Sequence, residues 1–452
     1  MKNLYKLIIV LSLVSCEDFL DQRPDKSIIV PITLDDYQRL LDNETNVMNE
    51  GPAMGMLSSD EYFTTDDGWR SLSQAVERNC YIWADDIYEG VGVTDWRNPY
   101  INVFYSNIAL EGIENIAVNS ENQQQWNNVK GSALFYRSFA FYGLLDVFAP
   151  PYNETTASSD LGIHIRLTAD VNSPVERATL QDSYIQIIND LDEAITLLDD
   201  TPSHITRPSK AAAYALLARV YLNQMNYGKA LEAAESSIGL KSELIDYNEV
   251  DPDLSLPFSI DNKEIVFRNS MSSYTFYLSN FTSVDTSLVK LYDENDLRLK
   301  VLFRPSTVIQ GRFNFKGHYS GMLGRLFNGI TTSEVYLIIA ECSARLGQTQ
   351  KANQSIHTLL ENRYLKGTYE KNDTIDEDEL LKMILDERRK ELVFRGVRWT
   401  DLRRLNTEGR FVFTMTRRLN GNLYTLPPND VKYTLPIPEE EINASGNPQN
   451  PR

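Results

Sequence analysis

Two well-separated stretches of this chain repeat one pattern, and that pattern restricts the fold more than any other feature. In the first, beginning at Ser209 after Pro208, the residues Tyr214, Leu217, Ala218, Tyr221, Tyr227, Ala230 and Ala234 recur at helical spacing. Tyr336, Ile339, Ala340, Gly347, Ala352, Ile356 and Leu359 do the same in the second. Large side chains at steps of three and four give each helix an apolar face, while alanines let two antiparallel helices approach closely. Gly347 falls where a turn between them is needed. A looser third copy, Phe135, Phe139, Tyr142 and Leu145, lies within Lys130 to Phe148.

The spacings resemble tetratricopeptide repeats, so the predicted fold is mostly α, a helical repeat scaffold with a large, irregular, loop-rich binding region. The helical parts are expected at 34–57, 97–148, 179–240 and 331–405. Within them, Thr179 to Leu198 carries Tyr184, Ile188, Leu191, Ile195 and Leu198 on one face, with Thr179 and Asp182 as the start signal and Pro202 beyond the end. Between the helical parts lie two insertions, about 58–96 and 251–330, rich in Asp, Ser, Asn and Gly and without sustained helical periodicity. They concentrate rings: Tyr62, Phe63, Trp69, Tyr81, Trp83, Tyr88 and Trp96 in the first, Tyr274, Phe276, Tyr277, Phe281 and Tyr319 in the second. Binding residues usually ride on loops held by a rigid scaffold, which directs attention to these segments.

The start of the chain adds an address. Lys2 and Lys6 precede the apolar run Leu7 to Val14, which is too short to span a bilayer, and Ser15 and Cys16 follow. Leu13-Val14-Ser15-Cys16 is similar to a bacterial lipobox, so residues 1–15 read as a signal peptide and Cys16 as a lipidation site. An ordinary cleaved signal with an incidental cysteine is the alternative. Residues 16–33 then form a polar, proline-punctuated linker, and 34–452 a single domain on a membrane anchor. The formal net charge of −19 argues against a nucleic-acid partner, which requires concentrated positive charge. Besides Cys16 there are only Cys80 and Cys342; they could pair, but a buried free thiol is the expected state.

No enzyme signature emerges. The four histidines, His164, His204, His318 and His357, have no metal-binding spacing, and Gly317-His318-Tyr319-Ser320-Gly321 places its serine one position late for a nucleophile elbow. Acidic clusters at Asp66-Asp67, Asp85-Asp86 and Asp376 to Glu379 could supply a carboxylate pair for glycoside hydrolysis, though in a chain with 63 acids they read first as solvated charge. The same clusters could hold a structural calcium ion; no other cofactor is expected.

Several separated motifs together resemble the SusD/RagB family of outer-membrane nutrient-binding lipoproteins. They are Cys16-Glu17-Asp18-Phe19-Leu20-Asp21; Trp96, Tyr100, Ile101 and Asn107; Tyr136-Arg137; and Pro150-Pro151-Tyr152. The series continues with Ser333 to Glu341, Glu387 to Leu392, Gly396 to Arg404, Leu435-Pro436-Ile437-Pro438 and Gln449-Asn450-Pro451. The resemblance implies a non-catalytic, surface-facing lipoprotein that captures a glycan, or alternatively a peptide. Its partner would be a SusC-type TonB-dependent channel contacting the helical side; a purely structural role in that assembly is a third possibility. It also implies a ligand-stacking ring at Trp83 and a polar contact at Asp86. Further candidates from the insertions are Trp69, Arg78, Tyr81 and Tyr88, with Tyr274 and Tyr277. Glu387, Arg388, Glu391, Arg398, Asp401 and Arg404 alternate in sign on a helix and its exit, and are expected to form structural ion pairs, with Trp399 in the core.

Overall fold

A computed structural model describes residues 31–373 and 376–452. The proposed signal, Cys16 and most of the linker lie outside the described residues.

The chain enters through α1 (Leu34–Leu41), where Thr33 and Asp36 form a reciprocal capping box. The rest of 34–57 departs from the expected helical repeat. It holds a π-helical turn at Glu44–Met48, a two-residue β1 (Glu50–Gly51) and the short α2 (Met54–Ser58), interrupted at Pro52. The first insertion supplies β2 (Tyr62–Thr64), α3 (Asp66–Ser71) and α4 (Ala75–Tyr81). Two long helices follow, α5 (Thr94–Ile113) and α6 (Gln123–Phe148), then the ribbon β3 (Leu161–His164) and β4 (Arg177–Thr179).

The repeat scaffold comes next. Helix α7 (Leu180–Leu197) is capped by the Thr179 side chain as expected. Its buried face is Tyr184, Ile187, Leu191 and Ala194, so Ile188 and Ile195 sit at the margin rather than the centre. The pair α8 (Lys210–Asn223) and α9 (Tyr227–Leu240) follows the alanine pattern, with Ala212, Ala215, Ala230 and Ala234 fully buried. Ser237 of α9 donates to the Ala211 carbonyl of α8 at 2.9 Å, a contact available only where helices nearly touch.

The second insertion contributes β5 (Ile265–Phe267), β6 (Ser270–Met271), β7 (Thr282–Val284), α10 (Thr286–Val289), α11 (Arg298–Leu302), β8 (Phe303–Pro305) and β9 (Phe313–Phe315). Strand β10 (Ile330–Thr331) leads into the other repeat pair, α12 (Thr332–Arg345) and α13 (Thr349–Leu360). Gly347 takes φ +70° in their turn, and Ser355 donates to the Tyr336 carbonyl across the pair, matching the α8–α9 serine. Helices α14 (Glu377–Glu391) and α15 (Arg398–Leu405), the hairpin β11 (Met415–Leu419) and β12 (Asn422–Leu426), and α16 (Glu439–Ser445) complete the chain.

Among the described residues the strands form two-stranded units: β1–β6 parallel, and β2–β7, β3–β4, β5–β10, β8–β9 and β11–β12 antiparallel. The fold is therefore mostly helical. One apolar core runs from Leu34 to Ile437 through both scaffold and insertions, with a smaller cluster among α12, α13 and α14.

Buried ion pairs tie helices together. Arg137 of α6 grips Asp190 of α7 through two 2.8 Å bonds, and Arg219 of α8 grips Glu334 of α12 at 2.6 and 2.8 Å. The charged tail motif behaves as its alternating signs suggest. Arg388 bonds Asp401, Arg404 bonds Asp401 and Glu341, Arg398 bonds Asp60, and Glu387 and Glu391 receive the fully buried Arg298. Trp399 is core. Cys80 and Cys342 are both free and buried, so no disulfide joins them.

Candidate functional site

The two insertions, far apart in sequence, are bound to each other. Strand β2 pairs with β7 in the register Tyr62–Val284, Phe63–Ser283 and Thr64–Thr282. Alternation along β2 turns Tyr62 and Thr64 inward and leaves Phe63 half-buried at the surface. Two buried carboxylates fasten the seam through the backbone. Glu77 of α4 accepts from the amides of Thr275 and Phe276 at 2.6 and 2.8 Å and from the Thr275 hydroxyl. Asp95, at the start of α5, accepts the Tyr274 hydroxyl at 2.6 Å and caps α2 through the amides of Ala53 and Met54.

This anchoring determines which predicted residues remain available. Tyr274 is 3 % exposed, with its hydroxyl spent on Asp95; Tyr277 is buried beside Phe276 and His318. Tyr81 and Tyr88 are buried too, and Tyr88 donates to the Pro436 carbonyl. Trp83 needs correction as a stacking platform. It is 2 % exposed, packs in a cluster with Trp399, Met415, Leu426 and Tyr433, and donates its indole N–H to the Ser58 carbonyl at 3.0 Å. The agent of this burial is Arg417 of β11, whose guanidinium lies 3.9 Å from the Tyr81 ring and 4.6 Å from Trp83, and donates to the Tyr81, Ser58 and Ser59 carbonyls. Asp86 is exposed, yet its carboxylate is engaged locally by the amides of Tyr88 and Glu89.

Trp69 and Arg78 survive as surface candidates. Both are partly exposed, and the Trp69 indole donates to the Arg78 carbonyl at 2.9 Å, which fixes the ring against α4. Their neighbour Gly68 has no room for a Cβ, which would stand 2.6 Å from the Phe281 Cβ, so α3 lies directly against the second insertion. Phe281 is 37 % exposed and Leu278 51 %. Arg312 lies over the Phe63 ring at 5.2 Å, and Arg70 bonds Asp67 at 2.6 Å. The seam thus presents Phe63, Trp69 and Phe281 with guanidinium and carboxylate groups around them. Apolar ring faces flanked by hydrogen-bonding groups suit a sugar, whose C–H face is apolar and whose edge is hydroxylated. Arg312 and Leu278 were not apparent in the sequence; the small residue before Trp69 is the one local sign of a close approach.

Fold and seam together define a class: a helix-repeat platform carrying an irregular, ring-bearing region built from two insertions. Comparison with known proteins agrees. A SusD-like family described as "Starch-binding associating with outer membrane" matches residues 18–222, and one described as "SusD family" matches 330–451. A SusD-like protein P2 from Formosa agariphila is 26 % identical over 98 % of both chains. Among solved structures, a SusD superfamily protein from Bacteroides thetaiotaomicron has a TM-score of 0.75 at 23 % identity, covering 93 % of this chain and 100 % of that one. A SusD-like carbohydrate binding protein from Bacteroides vulgatus has a TM-score of 0.68 at 19 % identity, covering 92 % and 97 %. The chain belongs to the SusD family.

Proposed function

We propose that this protein is a non-catalytic glycan-binding lipoprotein of the outer membrane. It would be held by lipid at Cys16 and pass its ligand to a SusC-like TonB-dependent transporter that contacts the helical side. Family membership supports the coarse reading, carbohydrate binding in outer-membrane nutrient uptake. The observation that carries the ligand class is the seam, where Phe63, Trp69 and Phe281 from two insertions remain partly exposed, α3 lies against Phe281 at Gly68, Arg312 covers Phe63 and α3 carries Arg70 and Asp67. Trp69 replaces Trp83 as the ring assigned to stacking.

The test is retardation in native gels cast with starch, xylan, laminarin or arabinogalactan. The parent is expected to be slowed by at least one polysaccharide, and the Trp69→Ala/Phe281→Ala double variant to bind it about tenfold or more weakly while keeping the parent's far-ultraviolet circular dichroism spectrum. Parent mobility unaltered by every polysaccharide, together with binding of oligopeptides by calorimetry, would replace the glycan by a peptide. Release of sugars from the polysaccharides would overturn the non-catalytic assignment. Mass spectrometry of the processed protein checks the anchor, with an acylated Cys16 at the amino terminus as the expected result.

A further inference from the structure

A cleft of about 540 Å³ opens elsewhere, between α5, the loop after β3 and α16. None of its residues belongs to the seam. One wall follows a helical stripe, Trp96, Tyr100 and Phe104 at successive steps of four, with Trp96 buried behind and Tyr100 and Phe104 partly exposed. The opposite side carries Glu440 and Glu441 of α16.

The loop forming the third side is strapped to α5 at three levels. The Tyr100 hydroxyl accepts from the His164 amide at 3.1 Å and donates to the His164 carbonyl at 3.2 Å. Asn107, itself held by Arg137, donates to the carbonyls of Arg166 and Thr168 at 3.1 and 3.0 Å. Glu111 accepts from the Ala169 amide at 2.7 Å. Tyr100, Asn107 and Glu111 share one helix face, so the cleft is held open by bonds independent of any ligand, as a preformed site requires.

Its charged side chains keep free hydrogen-bonding capacity. Among the described residues the side chains of Arg97 and Glu440 have no ion-pair or hydrogen-bond partner, and Glu440 lies against Gly92. Arg166 donates only to the Ser173 carbonyl, and Asp170 only accepts from the Asn172 amide. Glu441 stands 3.5 Å from His164 Nδ1. That imidazole is 1 % exposed, and burial, with Arg177 and Arg166 nearby, pushes its pKa down to about 4, so at neutral pH it leaves Glu441 without a cationic partner. The Nε2 atom of His164 has no partner either.

Donors from two guanidiniums and acceptors from three carboxylates therefore surround an aromatic wall, with exposed Val171 at the lip. Hydroxyl groups both give and accept hydrogen bonds and match this mixture, a pyranose C–H face matches the rings, and the excess of carboxylates disfavours an anion. We infer that the cleft is a second saccharide site, receiving one neutral pyranose unit against Tyr100 and Phe104 with its hydroxyls on Arg97 and Glu440. The sugar class rests on the glycan reading above, but the location does not.

Saturation-transfer NMR on the full chain tests it, using methyl β-glucopyranoside, methyl β-galactopyranoside and methyl β-xylopyranoside, with methyl β-glucuronide and glycylglycine as rivals. At least one neutral pyranoside is expected to receive saturation from the parent and to go on receiving it from Trp69→Ala/Phe281→Ala, in which the seam is disabled. Added to that double variant, Phe104→Ala and the surface variant Arg97→Ala should each weaken it about tenfold. The inference is overturned by an absence of transfer to all three neutral sugars, by transfer insensitive to both cleft variants, or by preference for the glucuronide or the dipeptide. If polysaccharide retards the parent while the cleft stays silent, only this second site fails. If neither responds, the glycan reading fails as well.

Discussion

Glu61 shows how a single buried group sets a pH dependence. It is 1 % exposed, and burial pushes its pKa up to about 8, with the Asp60 charge adding to the rise and the 2.8 Å bond from the Phe394 amide opposing it. The neighbouring cations Arg398 and Arg389 are engaged by Asp60. Between the ordinary value of 4.5 and about 8 the folded chain keeps a proton that the unfolded chain has released. Stability from this group is thus full at the acid end and declines as pH rises through the window. Glu61→Gln should flatten that decline and be more stable at the alkaline end by a few kcal/mol, an order-of-magnitude figure from about 1.4 kcal/mol per pKa unit. Urea denaturation below and above the window measures it. Arg363 makes the complementary case. It is fully buried, bonded to Glu264 at 2.7 Å and to Glu391 at 2.8 and 2.9 Å, and stacked 4.2 Å from the Tyr247 ring. Although burial alone would raise its pKa, Glu391 is held well below the ordinary carboxylate range by Arg363 and Arg298. Arg363→Met leaves the buried Glu264 without a cation and Glu391 with Arg298 alone, and should cost about 3–5 kcal/mol in chemical denaturation. At this scale the sequence misled most over Trp83: its burial depends on Arg417 and Trp399, more than 300 positions away, and no local pattern announces such partners.

Regular helices were legible because their signals are local. The cap of α7 rests on Thr179, the turn of the α12–α13 pair on Gly347, and the close approach of α8 and α9 on their alanines, all within one or two turns of the affected backbone. The insertions could be delimited but not assembled, since β2 is three residues long and finds β7 across more than 200 positions. The fastening of that seam by Glu77 yields an element-scale prediction. In Glu77→Ala the amides of Thr275 and Phe276 lose their shared acceptor, so limited proteolysis should cut around 272–285 faster than in the parent while α8 and α9 stay protected. Equal cleavage patterns would show that β2–β7 pairing alone holds the seam.

Across the whole molecule, scaffold and insertions share one apolar core from Leu34 to Ile437, which couples the insertions to the helices. Thermal unfolding monitored by far-ultraviolet and near-ultraviolet circular dichroism is accordingly expected to give coincident transitions, and a lower near-ultraviolet midpoint would reveal independent melting of the insertions. The helical class followed from periodicity; the way both insertions fold into the same core depends on tertiary contacts that periodicity does not encode.

The manner in which Glu77 grips its partner reaches beyond stability. Because it clasps main-chain amides of Thr275 and Phe276, the clasp is indifferent to most of the side chains displayed around it. A lineage could exchange the rings at the rim without redesigning the clasp beneath them.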